Sequence, residues 1–235
     1  MKTFLIATLV TASSIGAQPR AGMPESGTAK ASAPVDLTGY WVAFVTEDWR
    51  FRMITPRKGD YQAVPLTAQA RKVADAWDPA ADEAAGNQCK AYGAAAIMRV
   101  PARFHITWQD ESTLRVDTDA GMQTRLFHFN GPPAPAGERT WQGHSTAQWQ
   151  RPGSLKVATA NLRAGYLRKN GVPYSENATV TEYFDVAPLP GGGQALLVTT
   201  VVDDPQYLQQ PFITSSQFKK EADGSKWDPT PCTAR

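Results

Sequence analysis

From residue 103 onward the chain keeps returning to one pattern: apolar residues at every second position, in short runs broken by turn formers. Phe104, Ile106 and Trp108 share one phase, as do Phe127 with Phe129, Ala147 with Trp149, and Val180 with Phe184. Side chains alternate across a strand, so each run reads as a strand with one buried face. The same reading, with β-branched and aromatic enrichment, predicts strands at 40–45, 49–53, 96–100, 103–108, 113–118, 123–129, 144–150, 155–160, 177–185, 195–202 and 211–219. Asn130-Gly131-Pro132-Pro133, Arg151-Pro152-Gly153, Asn170-Gly171 and Pro190-Gly191-Gly192-Gly193 mark turns. One main helix is predicted: Thr67 caps it, Ala70, Val73, Ala74 and Trp77 form its apolar stripe, and Pro79 ends it near Asp78. The expected fold is mainly β, an antiparallel closed or nearly closed β-barrel. A two-sheet β-sandwich is the alternative, since periodicity does not say whether a sheet closes.

The start of the chain constrains location. Met1-Lys2 precedes the apolar run Phe4-Leu5-Ile6-Ala7-Thr8-Leu9-Val10 and the small residues Ala12-Ser13-Ser14-Ile15-Gly16-Ala17. That is the layout of a signal peptide over 1–17. Segment 18–35 mixes Pro, Gly, Ser and Ala without apolar periodicity and reads as a flexible tether. Residues 36–235 are then a single β-barrel domain, long enough for a real core. No stretch approaches the ~20 apolar residues of a membrane helix, so no integral membrane segment is expected, and the location is periplasmic or secreted. The formal charge is +2 and no Lys/Arg cluster exceeds a pair, which argues against a nucleic-acid partner. The two cysteines, Cys89 and Cys232, form an even pair in an exported chain and are expected to be disulfide-bonded.

Asp36-Leu37-Thr38-Gly39-Tyr40-Trp41 resembles the Gly-x-Trp entry strand of lipocalin and calycin barrels. The resemblance implies that Trp41 packs across a closed barrel end. The helix here precedes most of the strands, whereas the lipocalin helix follows them. A longer resemblance is to a group of exported bacterial proteins with no established activity. It is carried by Cys89-Lys90-Ala91-Tyr92-Gly93, Gly143-His144-Ser145, Ser175-Glu176, and Asp204-Pro205-Gln206-Tyr207 with Pro211. It implies one domain and names no chemistry.

Two charges break the strand pattern. Arg125 is in phase with Phe127 and Phe129, and Glu182 with Val180 and Phe184. A lone buried charge costs several kcal/mol, so such residues are paired or functional. One reading is a mutual interior ion pair. The other is a polar cluster at the base of a pocket. Glu176 is a second carboxylate near Glu182 in sequence, and two carboxylates can divide acid and base roles. The three histidines, His105, His128 and His144, lie in separate predicted strands, with His105 and His144 on the less apolar face. Surface or locally bonded histidine is the plain reading, and acid–base work by His144 the sharper one. No metal site and no cofactor are expected. Ser145 adjoins His144 but points to the opposite face, and no Gly-x-Ser-x-Gly elbow is present.

Seven Trp and seven Tyr suggest an aromatic-lined site, for which Trp41, Trp149 and Tyr183 are candidates. The first expectation is a barrel that binds an apolar or aromatic small molecule in its interior. The second is a cofactor-independent lyase, isomerase or cyclase using Arg125, His144, Glu182 and Glu176. The third is an interaction module of the envelope.

Overall fold

The computed structural model describes residues 27–131 and 137–235, so the signal-like segment 1–17 and residues 18–26 of the tether lie outside the described residues. Nine strands close into a barrel, and the sandwich alternative is set aside. They are β1 (Gly39–Ala43), β2 (Arg103–Trp108), β3 (Thr113–Thr118), β4 (Thr124–Phe129), β5 (His144–Gln150), β6 (Ser154–Ala160), β9 (Thr179–Pro188), β10 (Gln194–Asp203) and β11 (Phe212–Glu221). Around the barrel the order is β1-β11-β10-β9-β6-β5-β4-β3-β2. The remaining strands, β7 (Gly165–Arg168) and β8 (Val172–Tyr174), pair apart from the barrel as a small hairpin.

The barrel is not antiparallel throughout. β4 and β5 run parallel, with Phe127 opposite Ser145 and Phe129 opposite Ala147. Parallel neighbours need a longer return than a hairpin, and residues 130–143 supply it. The period-two pattern reports which face a residue takes, not the direction of the next strand, so this seam was invisible to it.

Strand directions put Ala43, Arg103, Thr118, Thr159, Val180, Val202 and Phe212 at one end of the barrel. The insertion of residues 44–102 leaves β1 and rejoins at β2 on that end, and β7–β8 lies between β6 and β9 on the same end. Together they form a cap. Ile97 and Met98 reach into the main core from it, fully buried among Phe104, Phe127 and Phe218. A second core, with Leu66, Ala70, Ala74, Leu167, Val172 and Tyr174, seals the cap onto Val180, Val202 and Phe212 at the barrel rim.

Three local expectations fail inside the cap. Residues 49–53 form a helical turn, α1 (Trp49–Arg52), and Ile97–Arg99 is a 3-10 turn rather than a strand. A strand needs a ladder partner, and neither stretch meets a free sheet edge. The expected helix is two: α2 (Ala68–Asp75), whose Thr67 hydroxyl accepts from the Ala70 N–H, and α3 (Pro79–Ala84). Pro79 opens α3 rather than only ending α2, because its missing N–H is harmless in a first turn and Asp78 caps the N–H groups of Ala80 and Ala81. The Asn170-Gly171 signal turns out to join β7 and β8. Gly171 has φ +81°, and a Cβ there would run into the Trp77 ring.

The opposite end is closed by aromatics. Phe129 lies 5.6 Å from Trp108 and 5.2 Å from Trp149, ring centre to ring centre. The Trp149 indole N–H donates to the Ala29 carbonyl at 2.9 Å. Residues 27–35, read as tether, are therefore partly tied down, with Ala29 buried. Trp41 is fully buried in the wall and donates from its indole to the Leu37 carbonyl at 2.9 Å.

Cys89 and Cys232 are bonded, across 143 residues of sequence. The bond ties the cap to the C-terminal segment, which also pairs along the β3–β4 turn through Ala120 and Thr230. Among the described residues no helix is long and apolar enough to cross a membrane.

Candidate functional site

The two charges in apolar phase do meet. Inside the barrel, Arg125 Nη1 donates to Glu182 Oε1 at 2.9 Å and Nη2 to Oε2 at 2.5 Å. Both side chains are fully buried. Nη2 also reaches the Thr159 hydroxyl at 3.3 Å, which shares a hydrogen bond with Ser145 at 2.8 Å. The guanidinium sits 4.9 Å from the Phe127 ring centre. Both Glu182 oxygens are engaged, Arg125 Nε is buried without a partner among the described residues, and Phe127, Phe184, Leu155 and Val157 fill the wall around the pair. The arrangement is a two-toothed ion pair packed in a core.

The other sequence candidates lie elsewhere. His144 neighbours the inward Ser145 on β5 and so takes the outer face, where its ring stacks on His128 at 5.2 Å. Burial, and then the His144 charge, hold the His128 pKa below its ordinary value. His105 also faces outward, stacked on Tyr40 at 4.1 Å. Glu176 is exposed in the loop before β9 and pairs with Arg139 at 3.4 Å. Tyr183 lies between the inward Glu182 and Phe184 and takes the outer face. Trp149 closes the end away from the cap. Arg125 and Glu182 are thus brought together, and His144, Glu176 and Tyr183 stay outside the barrel wall. Among the described residues no three His, Cys, Asp or Glu side chains gather as a metal site.

A cationic cluster that sequence reasoning missed lies in the cap. Arg52 ends α1, Arg99 ends the 3-10 turn, and Arg168 ends β7. All three are buried. They line one cleft with Phe51, Ile54, Pro101, Leu167 and Lys169. Arg52 donates from Nη1 to Glu47 at 2.8 Å and from Nε to the Arg99 carbonyl at 3.0 Å. Arg99 reaches Asp48 at 3.1 Å. Arg168 donates from Nη1 to the Gln62 carbonyl at 2.7 Å and is stacked 4.1 Å from the Phe51 ring centre.

The supply of acceptors then runs out. Arg52 Nη2 and both Nε and Nη2 of Arg168 are buried donors without a hydrogen-bond partner among the described residues. Among those residues no carboxylate pairs with Arg168 as a salt bridge. Burial, and behind it the Arg99 charge, pulls its pKa down to about 10. Burial likewise lowers those of Arg52 and Arg99. A buried N–H without an acceptor costs ~1–3 kcal/mol, more when charged. Negatively charged oxygens are the chemical complement of such donors. The cleft holds about 40 Å³, room for roughly three waters, which suits an acid head group rather than a whole drug-sized molecule.

A signal for this cluster was present. Each arginine has apolar chain neighbours, in Phe51-Arg52-Met53, Met98-Arg99-Val100 and Leu167-Arg168, a weaker mark than the strand phase that singled out Arg125, since Arg50 between Trp49 and Phe51 is exposed.

Compared with protein-family models, with curated proteins and with solved structures, the chain finds no match.

Proposed function

We propose that this protein binds a small molecule through an acidic group held in the arginine cleft of the cap. One observation carries the reading: Arg168 and Arg52, both wall residues of the cleft, hold three buried guanidinium nitrogens without a hydrogen-bond partner among the described residues. Proteins rarely bury donors without acceptors, and a guanidinium edge matches a carboxylate or phosphate. This reading places the ligand at the cap rather than in the barrel interior, where Phe127, Phe184 and Val157 pack around the Arg125–Glu182 pair. The catalytic reading with Arg125, His144 and Glu182 in one pocket draws no support from their placement. An exported location, periplasmic or secreted, is part of the proposal. The disulfide and the signal-like first residues support it.

The test is thermal unfolding against acetate, phosphate and chloride at constant ionic strength. Acetate or phosphate should raise the Tm saturably over chloride, as any ligand of the folded state must. Arg168→Met should lose that increment. No anion-specific rise, or an equal rise in Arg168→Met, would overturn the reading.

A further inference from the structure

Beside the cleft the surface changes character. Phe44, Trp49, Met53 and Ile54 are 54 %, 62 %, 59 % and 62 % exposed, four of the seven large apolar side chains left exposed among the described residues, all within one short stretch. Trp49 and Met53 stand four apart on and after α1, so they share a face, and Arg52 ends the same helix. Ile54 is at once a wall of the cleft and part of this shelf. Apolar side chains scattered singly over a surface need no explanation, whereas a contiguous run beside a polar pocket marks a binding surface.

We infer that the ligand is an amphiphilic monocarboxylate, its acid in the arginine cleft and its alkyl chain on the shelf of Trp49, Met53 and Ile54. The inference rests on the anion-binding reading above. The geometry of Arg168 selects the head group. Its engaged nitrogen is Nη1, which leaves Nε and Nη2 as two neighbouring donors on one edge. That edge takes both oxygens of a carboxylate at once. Arg52 Nη2 supplies a third donor. The small volume of the cleft admits the head and not the chain, and Ile54, a wall of the cleft that is itself exposed, links it to the shelf. Charge and apolar area are thus placed in the order that a single-chain acid presents them.

Decanoate, acetate and decanol are the probes, titrated by calorimetry into the wild-type protein, Arg168→Met, and the double variant Trp49→Ser with Met53→Ser, neither of which lines the cleft. Both shelf positions are exposed, so the double variant keeps the fold. Decanoate should bind about tenfold or more tighter than acetate, since each methylene removed from water contributes favourably. Arg168→Met should weaken decanoate by about tenfold or more, and the double variant should bring decanoate to the level of acetate. Equal affinity for decanoate and acetate, both dependent on Arg168, would overturn the amphiphile and leave the anion site standing. Decanol binding as well as decanoate, or decanoate binding untouched by Arg168→Met, would reduce the shelf to a sticky surface and overturn the inference. No Arg168-dependent binding of any probe would remove both readings.

Discussion

Two buried arginine sites in this molecule, one inside the barrel and one in its cap, are built on opposite terms. In the barrel, Arg125 meets Glu182 through two hydrogen bonds and reaches Thr159 from Nη2, which leaves its Nε buried without a partner among the described residues. In the cap, among the described residues, Arg52, Arg99 and Arg168 share only Glu47 and Asp48 as paired carboxylates, and three guanidinium nitrogens are left without acceptors. Burial is nearly complete in both places. What separates them is the countercharge: Arg125 meets a carboxylate of its own chain, whereas Arg168 meets a backbone carbonyl and, among the described residues, no carboxylate as a salt bridge. Residue type and burial alone would have ranked Arg125 and Arg168 alike.

Substitution should break the symmetry between the sites. Glu182→Ala leaves the Arg125 guanidinium buried and alone, and should cost ~3–5 kcal/mol in urea unfolding. A loss under about 1 kcal/mol would mean that water or another acceptor already serves Arg125, and the contrast would collapse. Cys89→Ser with Cys232→Ser should cost ~2–4 kcal/mol, given the long loop that the bond closes. It should act unevenly, with amide exchange rising first in the cap, around Ala91 to Ile97, and least in β9 and β10. Uniform loosening would show that cap and barrel unfold as one unit.

Arg168→Met should cost little, or stabilise the ligand-free protein by ~1 kcal/mol, since it removes a desolvated charge without orphaning a partner carboxylate. A loss of several kcal/mol would place Arg168 with Arg125 as structural. The smallest effect concerns His128. Its folded pKa lies below the unfolded value of 6.5, so below about pH 7 the unfolded chain binds more protons and stability falls as pH falls. His128→Asn should flatten that slope between about pH 7 and pH 5 in unfolding midpoints. An unchanged slope would assign it to other groups.

Much of this architecture was legible in advance, and the boundary follows a physical line. Period-two alternation located the barrel strands to within a few residues and turned Arg125 and Glu182 inward, because a strand's face is set by its own backbone. The Thr67 cap was legible for the same local reason, and the Cys pair because only two cysteines exist to be bonded. The helical turn at Trp49–Arg52 was misread because aromatic residues at alternate positions look alike in a strand and in a turn without a sheet neighbour.

Only the tertiary structure decided which strands are neighbours. The parallel β4–β5 seam, the closure of β1 onto β11, and the cap that residues 44–102 make with β7–β8 depend on contacts between residues far apart in the chain. The arginine cleft belongs to this second class. Arg52, Arg99 and Arg168 have apolar chain neighbours, but so does the exposed Arg50, and neighbours in sequence do not say what each will face. Pairing is a property of the space between elements, so the sequence determined that Arg125 and Glu182 would turn inward, and the packing of the cap onto the barrel determined which buried charges would lack a partner.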